Sequence, residues 1–353
     1  MFSLLRPYIF GLDPEVAHEL AIKSLKFNFV PKSFFKVEDE EMLNIKVFKK
    51  KLKNPIGLAA GFDKSAEVYN SLFKLGFGFV EVGTITPKSQ LGNPKPRVFR
   101  LEKDKAMINR LGFNNDGAER VVDRLVENPP EDFLGINIGP NKETKDKSLD
   151  FLKCFDKLNK LASYVTINIS SPNTEGLRDF HEEKLLSGLL SKLNKFKKDK
   201  KIKCPIVLKI SPDIDEKEIS NINELILKFK IDGVILTNTS NQNRENLSDT
   251  KSNEVGGLSG LPLQKISSKF IKIFYKSNKG KVPIIGVGGI DSGQSAFEKI
   301  AAGATLIQLY TGMVYKGPSI VKNIKKELIE ILKKEKISNI QKAIGINSWF
   351  CLN

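Results

Sequence analysis

The chain has 353 residues, 40% hydrophobic and 28% charged, with a formal net charge of +16. That length and apolar content bury a large core, and one barrel of about 250 residues plus an accessory piece fits it. Three widely spaced cysteines (Cys154, Cys204 and Cys351) and two histidines (His18 and His181) argue against a disulfide framework and a histidine metal site, and for a reducing compartment.

Residues 1–10, MFSLLRPYIF, carry Phe2, Leu4, Leu5, Tyr8, Ile9 and Phe10 with one charge. The stretch is no secretory signal, because Arg6 and Pro7 break it and no small-residue cleavage site follows. In GLDPEVAHELAIKSLKFN, Asp13 suits an N-cap and Pro14 the first helical position. Val16, Ala17, Leu20, Ala21 and Leu25 then recur at helical spacing. Two short, unusually apolar helices are expected. They either pack on the main domain or form a hairpin on an anionic membrane surface. No apolar run reaches the roughly 18–20 residues that span a bilayer.

From residue 55 onward eight short apolar strand candidates follow. They are Pro55–Leu58, Phe79–Val82, Leu134–Ile138, Tyr164–Ile169, Ile206–Ile210, Val234–Thr237, Pro283–Val287 and Leu306–Tyr310. Helical stripes separate most of them, as in Leu185, Leu186, Leu189, Leu190 and Leu193, or Ile219, Ile222, Leu225, Ile226 and Phe229. This alternation predicts an α/β fold, a closed parallel (β/α)8 TIM barrel with a small N-terminal helical hairpin. The expected division is 1–37 for the helices and 38–353 for the barrel. Connections after strands two, three and six are expected to be long and to cover a site.

In such barrels the site lies at the carboxyl ends of the strands. The clearest candidate is Tyr164 to Arg178. A β-branched strand there runs into Asn168, Ser170, Ser171, Asn173 and Thr174, with Pro172 and Gly176 as turn residues. Alone, it reads equally well as a helix-capping turn. The other ends add Ala60-Gly61-Phe62-Asp63-Lys64, Gly83-Thr84, Asn137, Lys209, Thr237-Asn238-Thr239, Gly288-Gly289 and Tyr310-Thr311-Gly312. Lys209, inside an apolar VLKI, also fits a snorkelling or a Schiff-base lysine. Glycines after strands seven and eight, with Gly256, Gly257 and Gly260, match a phosphate cradle. A phosphate there, with lysines along a flat cavity, suits FMN. Asn109, Asn168, Asn173, Asn238 and Lys64 suit a small planar substrate with imide and carboxylate edges. The lysines scatter over helix faces, as solvated charge does, so no nucleic-acid partner is expected.

Long strings carry a family resemblance. They are LDPEVAHEL (12–20), NPIGLAAGFDK (54–64), EVGTITPKSQLGNPKPRVFRL (81–101), NRLGFNN (109–115), INISSPNTEGLR (167–178), GGLSGLPL (256–263) and PIIGVGGIDSG (283–293). The sequence resembles the class 2 dihydroorotate dehydrogenases, the quinone-dependent, membrane-associated kind. The N-terminal string decides the class, since class 1 enzymes lack it.

The resemblance implies oxidation of dihydroorotate to orotate in pyrimidine biosynthesis. It implies one FMN per chain, held by Ala60, Gly61, Phe62, Asp63, Lys64, Thr84, Asn137, Asn168, Lys209, Thr237, Gly260, Gly289, Tyr310 and Thr311. Substrate falls to Lys64, Asn109, Arg110, Leu111, Gly112, Phe113, Asn168, Asn173, Asn238 and Thr239, with Ser171 as base. Phe113 and Thr174 match positions that shield and relay the proton path. His18 and Arg100 match a tunnel for ubiquinone or menaquinone. The resemblance further implies a monomer without a metal, peripheral to the cytoplasmic face of a bacterial inner membrane. Two departures stand out: Pro140 replaces a commonly basic residue, and Val314 stands where some relatives carry a tunnel hydroxyl.

Three rivals remain. A tRNA dihydrouridine synthase would need a loop cysteine and a C-terminal RNA-binding domain. A Schiff-base aldolase would use Lys209 without flavin. A non-enzymatic membrane-binding barrel would leave the polar strand ends idle.

Overall fold

The computed structural model describes residues 2–27, 29 and 39–348. Cys351 and the expected boundary between residues 37 and 38 lie outside the described residues. Eight parallel strands close a barrel: β1 (Ile56–Leu58), β2 (Phe79–Ile85), β3 (Leu134–Ile138), β4 (Tyr164–Asn168), β5 (Ile206–Ile210), β6 (Gly233–Leu236), β7 (Ile284–Val287) and β8 (Leu306–Leu309). Each pairs with its sequence neighbours, and β8 returns to β1 through Ile307 opposite Ile56. The strands are buried along nearly their whole length, as strands flanked by helices outside and side chains inside must be.

The apolar stripes read from the sequence face this core. Leu186, Leu189, Leu190 and Leu193 of helix Glu183–Asp199 are buried, as are Ile219, Ile222, Leu225 and Ile226 of helix Glu216–Lys228. Leu185 is the exception and points outward. The connection after β3 is moderately long: helix Lys147–Leu158 begins nine residues after the strand, beyond an ordinary βα loop. The loop after β4 is longer, and it carries Ser171.

Two additions were not expected. A hairpin of Ile45–Val47 and Lys50–Leu52 turns through Phe48 and Lys49, both at positive φ. It presses Phe48 against Phe133 and Tyr164, at ring separations of 6.4 and 5.8 Å, and so stoppers the barrel where the strands begin. At the opposite end, Val98–Leu101, Ala106–Asn109 and Gly257–Gly260 form an antiparallel sheet. Its own small core is Phe99, Leu101, Ala106, Ile108 and Leu258. This sheet roofs part of the mouth.

Helices α1 (Phe2–Gly11) and α2 (Pro14–Lys26) lie beside that roof. Asp13 caps α2 by accepting from the Glu15 and Val16 amides, at 2.9 and 3.1 Å. Arg97 is the main tie, reaching Glu15 at 2.6 Å. Arg100 donates to the Ile9 and Leu12 carbonyls at the end of α1, and its guanidinium lies 4.7 Å from the Phe10 ring. No helix among the described residues is long and apolar enough to cross a membrane.

Candidate active site

The strand ends converge on a cavity of about 340 Å³. One end of it is a cradle. Gly260 and Gly289 sit at φ 102° and 71°, and a Cβ on Gly289 would come within 2.6 Å of Gln264 Cα. Only glycine lets the backbone pass there. Ser259 and Thr311 hydroxyls meet at 2.9 Å beside these glycines, and Arg6, Lys105 and Lys316 also line the cavity. Backbone amides with nearby cations suit a phosphate.

The floor is polar and incompletely satisfied. Asn114 Oδ1, Thr237 Oγ1 and Gln308 Oε1, all of residues that line the cavity, are buried without a hydrogen-bond partner. Lys209 is 5% exposed, and its side chain makes no hydrogen bond or ion pair among the described residues. Burial pushes its ammonium below the usual lysine range, opposed by the charge of Glu81. Orphaned buried groups are rare in folded proteins. Four around one cavity call for a ligand with a polar-edged ring. The donor set and the cradle together fit FMN.

The far side holds the asparagines. Asn173 Nδ2 donates to the Asn109 carbonyl at 3.0 Å, and Asn238 Nδ2 to Asn168 Oδ1 at 3.2 Å. Ser171 is 6% exposed and lines the cavity, and its Oγ accepts the Asn173 amide at 3.3 Å. Arg178 pins this loop: its guanidinium donates to the Ser170 and Thr239 carbonyls and pairs with Asp213 at 2.9 Å. Phe113, held at φ 58°, closes the side of the cavity.

A second cavity, about 390 Å³ and mostly apolar, lies under α1 and α2. His18, Arg100, Phe62 and Val314 line it. Lys64, Val98, Met107, Leu111 and Tyr310 line both cavities and form the wall between them. Lys64 Nζ stands 3.5 Å from His18 Nε2. Burial brings Lys64 down to about 8 and His18 to about 3, so the imidazole is neutral.

The structure therefore gathers Ala60, Gly61, Lys64, Thr84, Asn109, Leu111, Gly112, Phe113, Asn168, Ser171, Asn173, Lys209, Thr237, Asn238, Thr239, Gly260, Gly289, Tyr310 and Thr311 around one cavity. Five expected site residues do not line it, buried Thr174 among them. Phe62 faces the second cavity. The Asp63 carboxylate caps the Glu67 and Val68 amides, at 2.8 Å each. Arg110 pairs with Glu254 at 2.7 Å and lies over Phe99. Asn137 is fully buried below the floor, where its Oδ1 accepts from Thr84 and Asn168. Gln308 and Glu81 were missed, although a polar or charged residue inside an apolar strand is the signal that found Lys209. Cys154 and Cys204 lie away from the cavity, and burial pushes both thiols up, Cys204 to about 12. No described cysteine serves the dihydrouridine synthase rival.

Comparison with known proteins agrees with this geometry. Residues 42–332 match the family described as dihydroorotate dehydrogenase. The chain belongs to that family. Relatives called dihydroorotate dehydrogenase (quinone) include one from Christiangramia forsetii, 46% identical, covering 93% of this chain and 98% of its own. The mitochondrial protein of Mus musculus is 42% identical over 95% of this chain and 87% of its own. A crystal structure of Eimeria tenella DHODH in complex with ferulenol superposes with a TM-score of 0.91 at 38% identity, covering 97% of this chain and 99% of that one. Within the dihydroorotate dehydrogenases the chain falls in the quinone-dependent class 2. Its barrel and N-terminal helices are those of the family.

Proposed function

We propose that this chain oxidises dihydroorotate to orotate with FMN as the hydride acceptor, and that a membrane quinone takes the electrons. The observation that carries the reading is a pair of adjoining cavities with one common wall. One is polar, with orphaned floor groups and a glycine cradle; the other is apolar and lies under exposed helices.

In this reading Gly260, Gly289 and Thr311 hold the FMN phosphate, while Lys209, Thr237 and Thr84 meet the ring edge. Bound FMN supplies the site that accepts a hydride from the substrate and gives electrons to the quinone. Asn109, Asn168, Asn173 and Asn238 match the alternating N–H and C=O edge of the substrate, and Lys64 its carboxylate. Fixing the ring in this way orients the C5 proton toward Ser171. Ser171 Oγ takes that proton and passes its own hydroxyl proton to water. The Asn173 amide, aimed at Oγ, stabilises the charge that develops there.

The quinone enters the second cavity between α1 and α2. Leu4, Leu5 and Tyr8 of α1 and Val16 and Leu20 of α2 are exposed. With Arg6 and Lys23 they suit peripheral contact with an anionic membrane surface. We further propose that the protein is a monomer at the cytoplasmic face of a bacterial inner membrane.

Anaerobic mixing with dihydroorotate tests the base. Ser171→Ala should keep FMN bound and slow flavin bleaching by at least about 100-fold, the usual worth of a positioned acid–base group. Bleaching at the parent rate would refute the assignment.

A further inference from the structure

The polar groups beneath the cavity all refer to one carboxylate. Glu81, on β2, is fully buried. Its Oε1 accepts Asn137 Nδ2 at 2.8 Å. Its Oε2 accepts Tyr164 Oη at 2.8 Å, Gln308 Nε2 at 3.0 Å and Thr166 Oγ1 at 3.2 Å. The donors come from β3, β4 and β8, so four strands meet at this one side chain. Four donors thus converge on a carboxylate, three on Oε2 and one on Oε1, and it has nothing to donate in return.

The consequence is directional. An amide can present either its oxygen or its nitrogen, and Glu81 removes the choice. Asn137 must turn Nδ2 down, which leaves Oδ1 up to accept Thr84 Oγ1 at 2.7 Å and Asn168 Nδ2 at 3.2 Å. Asn168 then presents Oδ1 to Asn238 Nδ2 at 3.2 Å and to the Ser170 amide at 3.3 Å. On the other branch, Gln308 turns Nε2 toward Glu81 and leaves Oε1 as the unpartnered acceptor at the cavity. One acceptor-only group thus sets the polarity of four amides.

We propose that Glu81 is a positioning residue whose carboxylate fixes the donor–acceptor polarity of Asn137, Asn168, Asn238 and Gln308 toward FMN and substrate. This rests on the reading of the cavity as the FMN and dihydroorotate site. It adds that the recognition pattern is set from a residue that lines neither cavity. Glu81 is also the opposite charge that acts on buried Lys209.

A swap of chemistry separates polarity from packing. Glu81→Gln is isosteric but brings an NH2 where only acceptors fit, so it opposes either Asn137 Nδ2 or Gln308 Nε2. The double variant Glu81→Gln/Asn137→Asp exchanges the two groups. The NH2 brought in on β2 donates to the carboxylate brought in on β3, and the C=O beside it accepts from Tyr164, Thr166 and Gln308. Every downstream bond then keeps its direction.

The experiment titrates apo-protein with FMN by fluorescence, and reconstituted protein with orotate by the flavin spectral shift. The single variant should lose at least about tenfold in both affinities, the range for a mismatched buried polar group. The double variant should recover to within about threefold of the parent. Parent-like binding by the single variant, or a double variant no better than the single, would overturn the proposal. If the single variant does not fold, a folded double variant with parent-like affinities supports the proposal, and one with weak affinities overturns it. If the parent itself does not bind FMN, the reading of the cavity fails rather than the role of Glu81.

Discussion

The helical hairpin is held to the barrel by few polar ties, and Glu15 is the most vulnerable of them. Its carboxylate meets Arg97 at 2.6 Å, with side chains 12% and 8% exposed, and Lys95 approaches at 3.7 Å. Burial pushes the Glu15 carboxyl up. The Arg97 hydrogen bond and charge, with Lys95 and Lys64, outweigh that and hold it below the usual range. Glu15→Gln keeps the shape and removes the charge. Arg97 retains the Leu91 and Asn93 carbonyls, at 2.6 and 2.8 Å, so the loop below stays in place. The loss is then that of a charge-assisted pair in a largely dry site, about 2–3 kcal/mol, or roughly 30- to 150-fold in the undocking equilibrium. Native-state hydrogen exchange reads this directly: α2 amides should exchange faster by that factor while β1 to β8 stay unchanged. Acid should do the same to the parent. The contribution of Glu15 is complete above its ordinary value of 4.5 and fades as pH falls through its lower folded value. Unchanged α2 exchange, or equal acceleration throughout the barrel, would refute the reasoning.

Other outcomes follow from the same structure. Removing residues 1–29 should abolish quinone reduction and spare flavin bleaching by dihydroorotate; equal loss of both half-reactions would count against a tunnel under the helices. Gly289→Ala must place a Cβ at positive φ within 2.6 Å of Gln264 Cα, so FMN affinity should fall by at least about tenfold as measured by flavin fluorescence. Lys209→Met should yield protein with weakened FMN binding or a lowered flavin potential, and an unaltered yellow enzyme would contradict its role. Lys299, fully buried and bonded to the Gln264 carbonyl and Ser268 at 3.2 Å each, is brought down to about 7 by burial. Its unfolded form binds the extra proton between about 7 and 10.5, so thermal stability should rise with pH over that window. Lys299→Met should flatten the rise and lift stability near pH 7 by a few kcal/mol; an unchanged pH slope in calorimetry would refute this.

The barrel was legible because parallel strands are apolar throughout and helices repeat every 3.6 residues, so Tyr164–Asn168 and Leu186–Leu193 announce themselves. The Phe48 hairpin did not, since three-residue strands joined through Phe48 and Lys49 carry no Asn-Gly or Asp-Gly signal. The roofing sheet was hidden for a different reason. Gly257–Gly260 has almost no side chains to pattern, and its partners Ala106–Asn109 lie 148 to 154 residues away in sequence. Of the site, the groups that touch the cavity were largely visible as polar residues at strand ends. What failed was depth. Asn137, Asp63 and Arg110 sit at positions that look equivalent to Asn168 and Lys64 in one dimension. They spend their polar atoms on Glu81, on the Glu67 and Val68 amides and on Glu254.

Depth is also what separates the two halves of the proposed reaction. A hydride donor and a quinone need access to one flavin without access to each other. The wall of Lys64, Val98, Met107, Leu111 and Tyr310 supplies that separation at the thickness of a single side chain. Its chemistry differs on its two sides. Toward the asparagines it offers a lysine whose proposed partner is an anionic substrate. Toward the helices it offers rings, with His18 edge-on to Phe62 at 5.0 Å and Phe62 edge-on to Tyr310 at 5.8 Å. A neutral imidazole 3.5 Å from Lys64 accepts a hydrogen bond from the ammonium without adding a second charge. The ammonium is thus held at the wall, and the charges that line the apolar side are engaged elsewhere, Glu15 with Arg97 and Arg100 with the Ile9 and Leu12 carbonyls. Replacing His18 with a side chain that cannot accept, as in His18→Leu, should leave Lys64 unpartnered in the absence of substrate. Orotate should then bind more tightly to the oxidised protein, because no competing bond is broken, while the rate of quinone reduction changes separately. Titration of the variant with orotate gives the sign, and weaker binding would show that His18 steadies Lys64 for the substrate instead of competing for it.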